Sequence, residues 1–400
     1  MKNQSESQKW QSNFWKLNGY SFFQMFLVSI PVIVPYWQGL GLSIKDIFLL
    51  QGAFGASLII FDVPAGYLAD LFGRKKALVI GSLISAFGFQ LLWAGKTFTD
   101  FLIYEFILGV GLSLQAGCDV ALLYNGLDAL GLSKNKVKFL GRRVLAMQMG
   151  EGIASLLGWW LASINIKLPM IMNGITPFGT VFFASLLFEG EQKRLSKSSH
   201  LENWRFIRKA LFGHSRLLTL LIVAYVFYSF ATYCAVWALQ PYWQSQGMSL
   251  KMFGVLWAMN SFLVGFVGHF AHKIEERVGS AVSVVLIALA PIFGYLGMGT
   301  LGGWLGIAFM GFFPICRGLN MVLFQDAVNS RVPAEIRATT NSIGSLGMRM
   351  LFLVFGPLLG FWIDEKGPQQ ALQWMGYVYV IGFALVALPL LGQRRHFVKG

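Results

Sequence analysis

Long apolar runs separated by short polar segments dominate this sequence. A helix that crosses about 30 Å of hydrocarbon needs about 20 residues, and each run is close to that length. Barrel strands would alternate apolar and polar residues over about ten positions, and these runs do not alternate. The pattern predicts an all-α integral membrane protein with twelve transmembrane helices, over residues 18 to 38, 46 to 68, 77 to 95, 101 to 124, 141 to 163, 168 to 188, 216 to 240, 249 to 271, 280 to 299, 303 to 327, 337 to 362 and 371 to 391.

Composition and charge support a membrane location. Of the 400 residues, 56% are hydrophobic and 12% are charged, whereas about a quarter of the residues in a soluble domain are charged. If the N-terminus is cytoplasmic, the outer loops contain few cations: Lys45, Lys96, Lys167, Lys251 and Lys366. Most of the net charge of +14 then lies on the cytoplasmic side. This distribution predicts cytoplasmic N- and C-termini, and contact with anionic lipid rather than with nucleic acid.

The longest polar interval lies in the middle of the chain and separates six runs from six. It predicts an N-terminal six-helix bundle over residues 1–190, a cytoplasmic linker over 191–213 and a C-terminal six-helix bundle over 214–400. The linker fits an amphipathic helix on the inner leaflet and a solvated segment equally well. Glycines recur at an offset of about 200 residues, Gly66 with Gly268 and Gly109 with Gly311. We therefore expect two pseudo-symmetric halves.

A short loop between the second and third runs is rich in glycine and charge. Residues 66 to 76 read GYLADLFGRKK. The segment resembles the loop signature of the major facilitator superfamily, Gly-x-Leu-Ala-Asp-x-x-Gly-Arg-Arg/Lys-Lys, in the loop where that family carries it. The match, together with the six-plus-six arrangement, covers nearly the whole chain. The resemblance implies a secondary transporter that works by alternating access between two six-helix halves.

Several residues of this loop have a physical role in the prediction. Gly66 would let the second span approach a neighbour closely, and Gly73 would permit a tight reversal into the third span. Asp70 could meet the positive end of a helix dipole. The resemblance implies that this helix is the eleventh span, so its first turn and Arg337 are the candidate partners. Together these residues would form a conformational latch.

The basic residues of the loop allow two interpretations. Arg74 would pair with an acid near the inner end of the fourth span, either Asp128 or Asp119. Alternatively, Arg74, Lys75 and Lys76 are only topogenic charges.

Other stretches resemble narrower features of the family and also depart from them. The segment GCDVALLYNGL in the fourth span resembles a pattern of a bacterial subgroup often described as exporters. The fourth-span signature usually begins with arginine, but Glu105 stands there. The fifth-span signature of drug/proton antiporters ends in Gly-Pro, whereas Gly158 is followed by Trp159. These departures weaken a simple drug-antiporter assignment.

Ionisable residues inside spans are costly and are therefore candidates for function. Glu151, Arg317 and Arg349 lie near the midpoints of their runs, where carriers of this architecture bind substrate. We expect the two arginines to bind an anionic or zwitterionic group, with Glu151 as proton site or counter-charge; the alternative is a structural ion pair. Asp62 and Asp119 are further candidates for substrate or proton coupling, although they and Asp326 are expected mainly to form inner-gate pairs with loop cations. Glu105 is another ionisable residue inside a span.

Further polar and aromatic residues are possible cavity-lining groups. Aromatic residues in such spans more often serve packing or the interfacial belt than ligand contact. The candidates are Gln24, Gln115, Gln148, Tyr233 and Asn320, followed by Asn125, Tyr228, Trp237, Gln240, Asn260 and Gln325.

No enzyme, cofactor or metal site is expected. Cys118, Cys234 and Cys316 stand singly in apolar runs and are predicted to be small core residues. The sequence predicts a monomeric, multi-pass protein of a bacterial cytoplasmic membrane, which transports a small organic solute, is coupled to protons and favours export. The alternatives are proton-linked uptake of an organic anion, a non-transporting membrane sensor on the same scaffold and, disfavoured by the lack of a catalytic constellation, a membrane-embedded enzyme.

Overall fold

A computed structural model describes residues 2–132, 136–190, 216–329, 331 and 337–396. Within these residues the regular elements are helices, so the all-α prediction is confirmed. Contacts between residues divide the chain into two compact units, Met1–Ser196 with Ser249–Phe262, and Lys197–Met248 with Leu263–Gly400. The predicted linker over 191–213 lies outside the described residues.

The first unit consists of long helices and shorter helical segments. Several of the short ones continue a neighbouring helix after a break. A 3-10 turn at Ile30–Val32 precedes the second helix. The helices are α1 (Lys2–Gln24), α2 (Ile33–Gly39), α3 (Ile44–Phe72), α4 (Arg74–Gly88), α5 (Gln90–Ala94), α6 (Phe98–Gln115), α7 (Cys118–Ala129), α8 (Lys136–Ile164), α9 (Leu168–Ile175) and α10 (Phe178–Leu186).

The remaining helices follow in chain order. The first part of α12, up to Phe262, belongs to the first unit. Two π-helical segments, Asn320–Phe324 and Phe383–Ala387, interrupt the second unit, and Arg394–His396 forms a 3-10 turn. The helices are α11 (Arg216–Ser245), α12 (Leu250–Val278), α13 (Ser280–Thr300), α14 (Gly303–Phe309), α15 (Phe312–Leu319), α16 (Gln325–Asn329), α17 (Arg337–Lys366), α18 (Pro368–Gly382) and α19 (Leu388–Gly392).

Nine stretches of the described residues are long and apolar enough to cross a membrane. They correspond to nine of the twelve predicted runs. The first and sixth runs fold as interrupted helices, α1 with α2 and α9 with α10. The fifth run forms the continuous helix α8, whose hydropathy is lowered by polar residues such as Gln148 and Glu151. The count of twelve spans and the side of the termini therefore stay predictions.

Three glycines with similar backbone conformations each join two long helices. Gly73 (φ +102°) lies between α3 and α4, Gly279 (φ +84°) between α12 and α13, and Gly367 (φ +84°) between α17 and α18. L-residues with side chains rarely adopt such angles, so glycine is required at each joint. The tight reversal expected at Gly73 is present. The same joint at Gly279, at a similar place in the second half of the sequence, supports an internal duplication.

Buried tyrosines hold the second unit together. Tyr295 and Tyr379 stack with ring centroids 5.5 Å apart, and both are fully buried. Their hydroxyl groups donate to backbone carbonyls of α11, Tyr295 to Ala231 at 2.6 Å and Tyr379 to Phe227 at 3.3 Å. A buried tyrosine needs such a partner for its hydroxyl. These bonds fix α13 and α18 against α11.

The three cysteines are free and buried, as the sequence predicted. Their side chains contribute to the packing of the apolar interior.

Candidate functional site

Glu151 is a buried acid at the contact between α8 and the first part of α12. Its side chain is 6% exposed, and its Oε1 accepts a hydrogen bond from the indole Nε1 of Trp257 at 2.9 Å. The two helices pack closely there, because a Cβ built on Gly254 would lie 2.5 Å from the backbone oxygen of Ser155. The other carboxyl oxygen, Oε2, is buried and has no partner among the described residues. Glu151 therefore has a buried acceptor oxygen that no described group fills.

The two arginines predicted to share a site with Glu151 belong to the second unit. Arg317 lies in the last turn of α15, just before a π-helical segment. Arg349 lies within α17. Both side chains are half-buried. A common site for Arg317, Arg349 and Glu151 stays a prediction.

Two of the predicted cavity-lining residues lie in one hydrogen-bond network of the first unit. The amide nitrogen of Gln115 donates to Ser85 Oγ and to the carbonyl oxygen of Gly111, both at 3.1 Å. Gln115 Oε1 accepts from the Tyr20 hydroxyl at 2.6 Å and from Gln24 Nε2 at 3.3 Å. The amide of Gln115 therefore links α1, α4 and α6, and its hydrogen-bonding capacity is already used.

The other predicted lining residues differ in whether their polar atoms have hydrogen-bond partners. Gln148 is 2% exposed, and its Oε1 has no described partner. Asn320 donates to Ser229 Oγ at 2.9 Å, while its own oxygen is unpartnered among the described residues. Tyr233 packs edge-on against Phe352 with ring centroids 4.6 Å apart, as expected for an aromatic residue with a packing role.

Asp119 forms an ion pair within the first unit. Its carboxylate accepts from Arg143 Nε at 2.6 Å, and the second guanidinium nitrogen is also in contact. Asp119 is buried, so the pair joins α7 to the start of α8. The partner is a helical arginine rather than a loop cation, which differs from the expected inner-gate pair. Asp62 and Asp326 are half-buried.

The signature loop is held by an acid that the sequence analysis did not select. Glu189 follows α10, and its carboxylate accepts from the backbone amides of Arg74 at 2.8 Å and of Lys75 at 3.0 Å. These amides begin α4 and have no partner within their own helix. A carboxylate at this position also interacts favourably with the helix dipole. Glu189 thus caps the helix that carries the basic residues of the signature.

The remaining latch residues are only partly described. Among the described residues, nothing lies within 4 Å of a Cβ built on Gly66, which is exposed. The predicted close contact of the second span at this glycine stays a prediction. The side chains of Asp70 and Arg337 lie outside the part of the chain that the structure describes.

The N-terminal segment is part of the same assembly. It begins α1 and packs on the chain that leaves α10. Asn13 Nδ2 donates to the carbonyl oxygen of Phe188 at 2.7 Å, and Asn13 Oδ1 accepts from the amide of Phe188 at 2.9 Å. The ring of Trp10 packs edge-on against that of Phe188, with centroids 5.1 Å apart. Asn13 therefore fixes the residue that precedes Glu189.

A second buried acid, Glu105, binds Gln51. The Nε2 of Gln51 donates to Glu105 Oε1 at 2.6 Å, and the two side chains are 3% and 4% exposed, respectively. The pair connects α3 and α6. Glu105 departs from the fourth-span signature, but no feature of the sequence indicated its partner Gln51.

Comparisons with known proteins agree with this architecture. The model of the Major Facilitator Superfamily matches residues 17–357. The chain is 23% identical over 372 residues to the tetracycline resistance protein, class H, of Pasteurella multocida, covering 87% of this chain and 86% of that protein. An uncharacterized MFS-type transporter of Methanocaldococcus jannaschii is 21% identical over 301 residues, 72% of each chain.

A solved structure shows the same fold. A mutant of the nucleoside transporter NupG superposes with a TM-score of 0.74 at 14% sequence identity, over 97% of this chain and all of that one. The family match extends over most of the chain and includes the signature loop and α8. The chain belongs to the Major Facilitator Superfamily.

Proposed function

We propose that this chain, a secondary transporter, exports a small organic solute in exchange for protons, and that Glu151 is the residue that couples the two. The observation that carries the proposal is the buried carboxyl group of Glu151, which has one neutral donor, Trp257 Nε1, and one unfilled acceptor oxygen.

The chemistry of this carboxyl group favours exchange. An ionised carboxylate that is buried without a cationic partner costs several kcal/mol. The indole of Trp257 offsets part of this cost but supplies only one neutral N–H. Oε2 can either carry a proton or accept a hydrogen bond from a donor group of the substrate. Glu151 can therefore release the proton when the substrate binds, and the substrate when the proton binds, as a coupling residue must.

The direction of transport rests on the relatives. A relative that aligns over most of this chain is named a tetracycline resistance protein, and we infer export from that name. Proton-linked uptake of an organic anion is the second candidate, favoured by the half-buried Arg317 and Arg349. We also propose that the protein is a monomer in a cytoplasmic membrane.

The signature loop belongs to the same mechanism. Asp70, Gly73, Arg74, Lys75 and Arg337 would form the latch that holds one state of the transport cycle. The capped start of α4 gives the basic part of the loop a fixed position.

The test uses the purified full chain in proteoliposomes that contain a pH-sensitive dye. Tetracycline and a panel of organic anions, zwitterions and cations are added, and the change of internal pH is followed. Glu151→Gln should abolish proton movement while retaining exchange of labelled solute at saturating solute concentration. Glu105→Gln serves as the matched control, because Glu105 is equally buried but already paired with Gln51. Normal proton movement in Glu151→Gln would refute the coupling role.

A further inference from the structure

Four buried side chains of α8 and α12 each have a polar atom without a partner among the described residues. The atoms are Gln148 Oε1, Glu151 Oε2, Asn260 Oδ1 and Ser261 Oγ. The side chains are 2%, 6%, 8% and 1% exposed, respectively. Buried polar groups are nearly always hydrogen-bonded, so several such atoms at one helix contact need an explanation.

The register of the two helices brings these residues to the same place. Gly254 packs against Ser155, and Phe262 packs against Gly152, so the helices are antiparallel. Gln148 lies seven residues before Ser155 on α8, and Ser261 lies seven residues after Gly254 on α12. Seven residues make about two helical turns, so Gln148 and Ser261 lie opposite each other.

The other two members lie on the same stretch. Glu151 is three residues after Gln148 on α8, and residues three apart share a face. Asn260 is three residues after Trp257, whose indole binds Glu151. Glu151 and Asn260 therefore lie next to Gln148 and Ser261. All four belong to the first unit.

We propose that Gln148, Glu151, Asn260 and Ser261 form a binding site for a cationic nitrogen group that carries several N–H donors, such as a guanidinium or a primary ammonium. The proposal deepens the proposed function and rests on it, because it names the chemical class of the exported solute.

The hydrogen-bonding groups of these residues favour a cationic ligand with N–H donors. An ionised carboxylate only accepts hydrogen bonds, and amide and hydroxyl groups can also accept. The indole of Trp257 adds an aromatic group, and aromatic faces attract cations. The unpartnered Nε1 of Trp159 is a donor, but it lies eight residues beyond Glu151 on α8 and outside this set.

The two arginines near the start of α8 whose side chains the structure describes have other partners. Arg143 binds Asp119, and the guanidinium of Arg142 lies 5.2 Å from the ring centroid of Phe139. A cationic solute would therefore supply the charge that complements Glu151.

Thermal unfolding of the detergent-purified full chain tests the ligand class with three matched probes. Benzylguanidinium carries a permanent charge and N–H donors, benzyltrimethylammonium has the charge without donors, and benzoate is an anion. A ligand that binds only the folded state shifts the folding equilibrium about tenfold at ten times its Kd. Benzylguanidinium should raise the melting temperature more than benzyltrimethylammonium, and benzoate should have no effect. Stabilisation by benzoate, or equal stabilisation by the two cations, would overturn the proposal.

Variants locate the site. Glu151→Gln and Asn260→Leu should each weaken the apparent affinity for benzylguanidinium at least fivefold, as measured from the ligand-dependent shift of the melting temperature. Asn173→Leu is the matched control, because Asn173 is a fully buried amide of the first unit on another helix. It should lower the baseline melting temperature without changing the shift. An unchanged affinity in both site variants would overturn the assignment.

The result is separable from that of the proton-movement experiment. If benzylguanidinium binds and depends on Glu151, but proton movement persists in Glu151→Gln, the site stands and the coupling role fails. If proton movement depends on Glu151 but benzylguanidinium does not stabilise the protein, the coupling role stands and the ligand class is wrong.

Discussion

Removal of the Glu189 carboxylate should release the start of α4. The carboxylate accepts from two backbone amides, those of Arg74 and Lys75, at 2.8 and 3.0 Å. A hydrogen bond to a charged group contributes about 1.5 to 3 kcal/mol when buried, and Glu189 is half-buried. Water replaces part of the loss at this exposure, so we expect Glu189→Ala to cost about 2 kcal/mol of local stability, within the range of a strong helix cap.

Limited trypsin digestion of the full chain measures this opening directly, because Arg74, Lys75 and Lys76 are cleavage sites in the first turn of α4. When closing is fast relative to cleavage, the rate follows the population of the open form. A cost of about 2 kcal/mol corresponds to roughly 30-fold faster cleavage. Glu189→Gln keeps one acceptor oxygen and loses the charge, so it should accelerate cleavage about fivefold.

Glu6→Gln is the matched control for this experiment. The exposed carboxylate of Glu6 lies near the chain beside Glu189, at 3.3 Å from a Cβ built on Gly190. Its loss should change the cleavage rate less than twofold. Cleavage of Glu189→Ala at the rate of the unmodified protein would refute the capping role.

Three further substitutions test other contacts of the same region. Asn13→Leu removes both hydrogen bonds to Phe188 and should lower stability by about 2 kcal/mol, measured by thermal unfolding. An unchanged melting temperature would contradict a stabilising role for these two hydrogen bonds. Asp119→Asn breaks a buried ion pair with Arg143 and should cost about 3 kcal/mol, whereas Asp119→Asn combined with Arg143→Gln should recover part of it; no recovery would argue against direct coupling. Asp70→Asn should slow transport in proteoliposomes with ligand affinity retained, and normal transport would exclude the latch role.

Much of the fold could be predicted because it depends on local patterns. Long apolar runs fix the helices of a membrane protein, and the loop glycine at Gly73 is required by its positive φ. The breaks within the first and sixth runs were not predictable from hydropathy alone. In the sixth run, Pro177 immediately precedes α10. A proline inside an apolar run signals the end of the preceding helix, but hydropathy does not register it.

The partners of buried polar residues were less accessible from the sequence. Glu151 was selected because a charge in the middle of an apolar run is costly, but Trp257 lies 106 positions away. Glu189 was overlooked because it begins the polar interval and resembles linker composition. Asn13 lies in a polar segment, and its partner Phe188, which follows α10, is 175 positions away. Such long-range pairs are set by tertiary packing, which periodicity does not encode.

The decisive measurement for the role of Glu151 is proton movement in proteoliposomes that contain the full chain or its Glu151→Gln variant. The internal pH is followed while a solute that stabilises the purified protein is added, and exchange of the same labelled solute is measured in parallel. If Glu151 couples the two fluxes, the unmodified chain should show solute-dependent proton movement, and Glu151→Gln should show exchange at saturating solute without proton movement. Equal proton movement in both proteins would contradict it.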